Sequence, residues 1–357
     1  MTNITKKKNV IVGISIGDIN GIGIEIILKA LSDNRILEFI TPVIYGSASL
    51  ISNYRKQNNL EPLTHTNLEE GMDVKPKTIY IKKCWETDPE LSLGNQTQAG
   101  GEYAVKSLKA ATDDLASSKI DVLVTAPINK SNVQSNEFNF PGHTEFLAKL
   151  SNVESALMLL VSNGLRVAVV SGHVPLKDVA AGLTKEKIKS KIEMLNDTLI
   201  KDFGIRRPKI AILGLNPHAG DNGLLGKEEN EIISPAVSDC RGKGILSFGP
   251  YSADGFFGSG DYANYDGILA MYHDQGLIPF KSLSFGTGVN FTAGLPIVRT
   301  SPDHGTGYDI AGKNKASESS FRAALYLAVD IYNKRKQYKE FTKNPLENQK
   351  GNPKKNY

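Results

Sequence analysis

An α/β fold is predicted by three observations. Short apolar runs of β type alternate with helical stretches along most of the chain. The length, 357 residues, is more than one ordinary core organises and enough for two α/β lobes. Three of the strand-like runs end within a few residues of a histidine, although the chain has only six histidines in all. Ligands of open α/β sheets sit beyond the carboxyl ends of strands, so these histidines are placed where function is expected.

The elements follow from local pattern. Strands are expected at NVIVGIS (9–15), TPVIYG (41–46), TIYIK (78–82), DVLVTA (121–126), ALMLLVS (156–162), LRVAVVS (165–171), KIAILGL (209–215) and GILAMY (267–272). Helices are expected near 23–32, 97–117, 185–203, 227–241 and 315–334; in KEKIKSKIEMLNDTLIKDF apolar residues recur at helical spacing between charges. No repeat occurs, and the Lys/Asn-rich end after Tyr338 reads as a mobile polar tail.

Composition removes several function classes. No apolar run approaches the ~20 residues of a membrane span. The opening MTNITKKKN leads straight into VIVGIS without the apolar stretch of a signal peptide, and Cys84 and Cys240 offer no disulfide framework, so a cytoplasmic location is expected. The net charge of +4 belongs to the end of the chain, since the residues from Lys334 onward carry more positive charge than the whole sequence does. The folded body is slightly acidic, which argues against a nucleic-acid partner.

Chemistry concentrates in five segments. LRVAVVSGH ends at His173, KIAILGLNPH at His218 and GILAMYH at His273. Three converging imidazoles with open positions are a catalytic divalent-metal set; three separate hydrogen-bonded structural histidines are the competing account. GDINGIGIE (17–25) follows the first strand, but matches neither GxGxxG nor GxxxxGK[ST]. It reads as a tight strand-to-helix turn, from which Asp18 could still reach a substrate. TAPINK (125–130) is followed by PGHTEFLA (141–148), where His143 and Thr144 open a helix, either as an anion site or as a surface cap. GLNPHAGDNGLLGKEE (214–229) is too long and polar for a mere connection. The stretch from Tyr272 to Gly312 brings His273, Lys281, Asn290, Arg299, Asp303 and His304 among glycines, and its basic residues suggest an anionic substrate.

The motifs GHTE, GLNPHAG with GLLGKEE, YHDQGL, GVNFTAGLP and RTSPDHGTGYDIAGK together resemble the 4-hydroxythreonine-4-phosphate dehydrogenase family, from about Gly13 to Lys334. The resemblance implies a two-lobed isocitrate/isopropylmalate dehydrogenase-like fold with a mixed sheet, flanking helices and no GxGxxG fingerprint. It implies a nucleotide-binding lobe of residues 1–130 plus 285–334 and a substrate, metal and dimerisation lobe of 131–284, with 335–357 as the basic tail. It implies NAD- or NADP-dependent oxidative decarboxylation of a phosphorylated hydroxy-amino acid, 4-phosphooxy-L-threonine, in pyridoxal phosphate biosynthesis.

Carried residue by residue, the resemblance makes His173, His218 and His273 ligands of a divalent metal (zinc, magnesium or cobalt), shared across a homodimer interface. It makes His143, Thr144, Lys281, Asn290 and Arg299 substrate contacts. Lys281 and Asp254 become catalytic candidates, and His304, Gly305, Thr306 and Asp309 cofactor contacts. Departures at Gly172 and Gly255, where the family commonly has threonine, bear on fine specificity. Relatives acting on threonate or erythronate phosphates, or on dihydrodiols, share the scaffold, and a non-redox metal-dependent phosphate-ester binding protein is the alternative of another class.

Overall fold

The computed structural model describes residues 9–135, 138–140 and 142–344. The elements in chain order are β1 (Val10–Ser15), α1 (Gly23–Leu31), β2 (Ile40–Gly46), α2 (Ala48–Gln57), β3 (Thr66–Asn67), β4 (Tyr80–Lys83), α3 (Gln98–Ala116) and β5 (Val122–Thr125). Then come α4 (His143–Leu150), β6 (Leu157–Ser162), β7 (Leu165–Ser171), α5 (Lys185–Lys201), β8 (Lys209–Leu213), α6 (Ser234–Gly242), β9 (Leu246–Tyr251) and α7 (Ala253–Gly258). The chain continues through β10 (Gly267–Tyr272), α8 (His273–Ser284), β11 (Val289–Ala293), β12 (Arg299–Pro302) and α9 (Ser319–Phe341).

All twelve strands join one sheet in the order β3-β4-β2-β1-β5-β12-β11-β6-β7-β10-β8-β9. From β3 to β12 the strands are mutually parallel, and from β7 to β9 they are again parallel. Antiparallel pairings of β12 with β11, β11 with β6 and β6 with β7 separate the blocks. The two parallel blocks therefore run in opposite directions. Strands β1, β2 and β5 are buried along nearly their whole length, which is why they read as continuous apolar runs rather than alternating ones.

Capping sets several helix starts. Thr97 accepts from Gly100 N–H at α3, and Thr184 from Lys187 N–H at α5. The largest core packs Ile and Leu of α1, α5 and α9 against one face of the sheet. On the other face α3 covers Val43, Tyr45 and Leu123, while α8 covers Leu160, Val167, Val169 and Ala270. Gly276 permits that second contact: a Cβ there would lie 2.9 Å from Val167 Cγ1 and 3.0 Å from Ala270 Cβ.

The structure differs from expectation in identifiable places. The helix expected near 227–241 begins as a π turn (Glu229–Ile233) before α6. The last helix continues to Phe341, into the expected tail, and the rest of that tail from residue 345 lies outside the described residues. Helix α8 and strands β9, β11 and β12 were not expected at all. Among the described residues, no helix is long and apolar enough to cross a membrane.

Candidate active site

Alternation along four neighbouring strands builds the floor of the site. In β6, Met158 and Leu160 face the same way; their neighbours across the ladder are Thr292 and Asn290 of β11. Asn290 pairs with Ser301 of β12, and Arg299, two residues earlier on β12, sits beside Thr125 of β5. Over this floor a cavity of about 350 Å³ is closed on one side by Pro127–Lys130 and the start of α4, and on the other by α8. Its wall includes Lys130, His143, Thr144, His173, His273, Lys281, Asn290, Arg299, His304 and Gly305.

Arg299 is the most unusual member, being 3% exposed with no carboxylate bonded to it among the described residues. Its Nε and Nη2 donate to Thr125 Oγ1 at 3.0 and 2.6 Å, and its Nη1 donates to Thr292 Oγ1 at 3.1 Å. Burial pulls its pKa down, opposed by the charge of Glu145. A buried guanidinium held only by neutral hydroxyls is a standing demand for an anion. His143 beside it is half-buried with its Nε2 out of contact with solvent, and burial, with the charges of Arg299 and Lys130, drives its pKa well below the ordinary histidine value. It is therefore neutral at pH 7. His143 Nε2, Asn290 Oδ1 and His304 Nε2 are buried without a hydrogen-bond partner, so three polar atoms of the wall await a ligand.

Two histidines face each other across the cavity. The His173 and His273 rings lie 5.6 Å apart between centroids. His273 Nδ1 bonds Asp274 Oδ1 at 2.7 Å, which orients the ring and leaves Nε2 as its lone-pair nitrogen. Burial, with the charges of Lys130 and His273, lowers the His173 pKa below the ordinary histidine value, and its Nε2 accepts from Lys130 Nζ at 3.1 Å. A neutral imidazole at either position offers one nitrogen to a divalent cation; at His173 that nitrogen is the one Lys130 holds, so a cation there would displace the ammonium. Gln275 ties this corner together, accepting from Met271 N–H at 2.7 Å and donating to Gly214 O at 2.5 Å.

The structure does not gather every expected residue. His218 is exposed and does not line the cavity; it lies near Asp254, whose carboxyl is lowered chiefly by the Ser252 hydroxyl and the Gly255 N–H, with His218 contributing. Asp254 is likewise outside the cavity. Among the described residues no group of three or more His, Cys, Asp or Glu is placed to hold a metal. Thr306 and Asp309 lie beyond the cavity rim: the Thr306 carbonyl accepts from Ile22 N–H at 2.9 Å, while Asp309 is exposed.

Asp18 does not line the cavity: fully buried, it accepts from Asn20 N–H, Asn132 Nδ2 and the Tyr308 hydroxyl and so holds the GDINGIGIE turn together. Thr144 is no cap either, because α4 starts at His143 with Gly142 before it and no side-chain cap bond.

Among the charged residues of the wall, Lys130, Glu145 and Asp303 had no individual role assigned from sequence. Burial raises the Asp303 pKa, opposed by Lys281 and His304. The signal for Lys130 was present, since TAPINK places it just past a strand end.

A small cavity with a desolvated cation, neutral histidines and unpartnered polar atoms, set in an α/β sheet, defines an enzyme site for a small anionic molecule. Comparison with known proteins narrows the class. Residues 38–328 match the profile of the pyridoxal phosphate biosynthetic protein PdxA, and the chain belongs to that family. A 4-hydroxythreonine-4-phosphate dehydrogenase of Bacteroides thetaiotaomicron is 48% identical over 342 residues, covering 95% of this chain and 93% of the relative. The crystal structure of a 4-hydroxythreonine-4-phosphate dehydrogenase from Klebsiella pneumoniae superposes with a TM-score of 0.79 at 35% identity, over 93% of this chain and 99% of that one. A terephthalate 1,2-cis-dihydrodiol dehydrogenase from Burkholderia xenovorans shares the fold at a TM-score of 0.60 and 25% identity, over 90% and 98% of the chains.

Proposed function

We propose that this chain is a 4-hydroxythreonine-4-phosphate dehydrogenase, which oxidises and decarboxylates 4-phosphooxy-L-threonine to 3-amino-2-oxopropyl phosphate with NAD or NADP as hydride acceptor. The observation that carries the reading, together with the relatives' names, is buried Arg299 in the cavity wall, held among the described residues by hydroxyls alone and sharing that cavity with the histidine pair.

Arg299 binds an anionic group of the substrate through the donors its threonine partners leave free. Neutral His143 and Asn290 meet the polar groups between, and Lys281 at the rim of α8 adds a second positive charge. His173 and His273 would hold a divalent cation together with a His218 contributed by a second copy of this chain, in which case the complete site would form only in a homodimer. When bound, that cation acidifies the substrate hydroxyl and steadies negative charge on the oxygen it touches. Support for the shared arrangement comes from the apolar side chains exposed around the three histidine segments, among them Leu176, Leu224, Ile278 and Phe285. His304 and Gly305, at the cavity edge, and Thr306 and Asp309 just beyond it receive the dinucleotide; the unpartnered Nε2 of His304 fits that role. Lys281 or a bound water takes the hydroxyl proton.

The test is a reduced-dinucleotide assay with NAD and NADP, with and without chelator, on 4-phosphooxy-L-threonine and on threonate 4-phosphate. Turnover on the first substrate, abolished by chelator, is expected. Preference for threonate 4-phosphate or for a dihydrodiol, the substrate type named for the Burkholderia structure, would move the chain to a sister activity on the same scaffold. No dinucleotide reduction with any of them would leave a metal-dependent phosphate-ester binder.

A further inference from the structure

The segment that presents His218 is built in a conformation L-residues avoid. His218, Ala219, Asp221 and Asn222 have φ of 54, 51, 43 and 55°, with Gly220 at 79° between them: five consecutive left-handed residues, four of which have a side chain. Single non-glycine residues visit this region; runs of them are strained and persist only where surrounding contacts over-determine them.

Those contacts converge on one carboxylate. Glu229 is 2% exposed, and no basic side chain pairs with it among the described residues. Its Oε1 accepts from the backbone N–H of Leu215 and of Asn216, each at 2.7 Å, and its Oε2 from Asn216 Nδ2 at 3.0 Å, an amide that also donates to Glu228 Oε2 at 2.8 Å. Two glycines of the loop 214–229, Gly220 and Gly226, are shaped around this filling. A Cβ at Gly220 would stand 2.5 Å from Glu229 Oε2, and one at Gly226 would stand 2.3 Å from Asn216 Nδ2. Glu229 also opens the π turn before α6, a widened helix start of a kind that recurs at functional sites.

We propose that Glu229 is a positioning residue: its carboxylate holds the left-handed turn that aims His218 at the metal. This rests on the reading of His218 as a ligand contributed to a second copy. Glu229 touches neither substrate nor metal and acts through the backbone of 215–216 and the side chain of Asn216. Outer contacts of this kind commonly change metal affinity by about 10–100-fold.

The experiment uses the full chain as wild type, Glu229→Gln, the exchanged pair Glu229→Gln with Asn216→Asp, and His218→Ala. Amide hydrogen exchange is followed across residues 185–234, and cobalt(II) binding by its visible absorption. In Glu229→Gln the new side-chain amide opposes the donor of Asn216; the 215–216 amides should exchange at least about tenfold faster and cobalt bind about tenfold or more weakly. The exchanged pair, made together with Glu228→Gln so that the new carboxylate at position 216 meets no second carboxylate, restores an amide-to-carboxylate bond and should recover both readings to within about threefold.

Wild-type exchange in Glu229→Gln overturns the proposal. So does cobalt affinity unchanged in a loosened turn, or faster exchange spread through α5 and β8 that marks general destabilisation. If His218→Ala binds cobalt like wild type, the metal reading itself falls. That result is distinct from failure of Glu229 alone, in which His218→Ala loses cobalt and Glu229→Gln keeps it.

Discussion

Replacing Arg299 by Met separates binding from folding. Of the five N–H donors of a guanidinium, three are already given to Thr125 and Thr292, which leaves two for a ligand at the cavity wall. Two charge-assisted hydrogen bonds at about 1.5 kcal/mol each, the lower end of their range, amount to about 3 kcal/mol, or roughly a hundredfold in affinity. Stability responds differently. Met removes a buried charge that has no counter-ion, and this relief offsets the loss of bonds worth about 1 kcal/mol each.

Arg299→Met should therefore bind 4-phosphooxy-L-threonine at least about a hundredfold more weakly by titration calorimetry, with a thermal midpoint close to wild type. Arg299→Lys should fall between, because an ammonium keeps the charge and loses the two-pronged geometry. Substrate affinity within threefold of wild type would refute the assignment. A large fall in thermal midpoint with affinity intact would make Arg299 a structural residue instead.

Other consequences are equally direct. His143 and His173 are both lowered from 6.5, so the unfolded chain binds more protons below that pH; stability should be full above about pH 6.5 and fall on acidification, by at most about 1.4 kcal/mol per pH unit for each histidine. Thermal midpoints of wild type and His173→Gln between pH 7.5 and 5 check this, and an equal slope in both would contradict it. Gly276→Ala should cost about 1–3 kcal/mol despite the helix preference for alanine, since the added methyl meets Val167 and Ala270, and it should weaken substrate binding by lifting α8 and Lys281 from the sheet. His218→Ala should lose divalent metal by elemental analysis and lose turnover, yet keep the wild-type thermal midpoint of the metal-free protein.

Much of the fold was legible because buried strands are written as apolar runs: β1, β2 and β10 begin within a residue of where the pattern puts them. What escaped had no such signature. RTSP of β12 is polar, and its burial comes from the strands on either side, a non-local fact. HDQGLIPFKSLS contains a glycine and a proline, which disguise α8; Gly276 is there for packing, not for a turn. The reversal of strand direction between the blocks is invisible for the same reason, since pairing partners lie far apart in the chain.

At the site, the identities of His143, Lys281, Asn290 and Arg299 could be read from motif and resemblance. That Arg299 is buried against hydroxyls, or that Glu229 fills the turn before it in space, could not. His218 shows the limit most clearly: its motif marks it for function, but within one chain it stands apart from its two fellows.

The floor of the cavity sets rules for altering what the site accepts. Because side chains on β6, β11 and β12 alternate, Met158, Leu160, Asn290 and Ser301 address the cavity, while Leu159, Phe291 and Thr300 are committed to the opposite side of the sheet and are fully buried. Substrate choice can drift through the first set without disturbing the second. The histidines, in turn, sit on other elements altogether. One scaffold can therefore exchange its substrate while the chemistry stays fixed, with evolution confined to every second residue of three short strands.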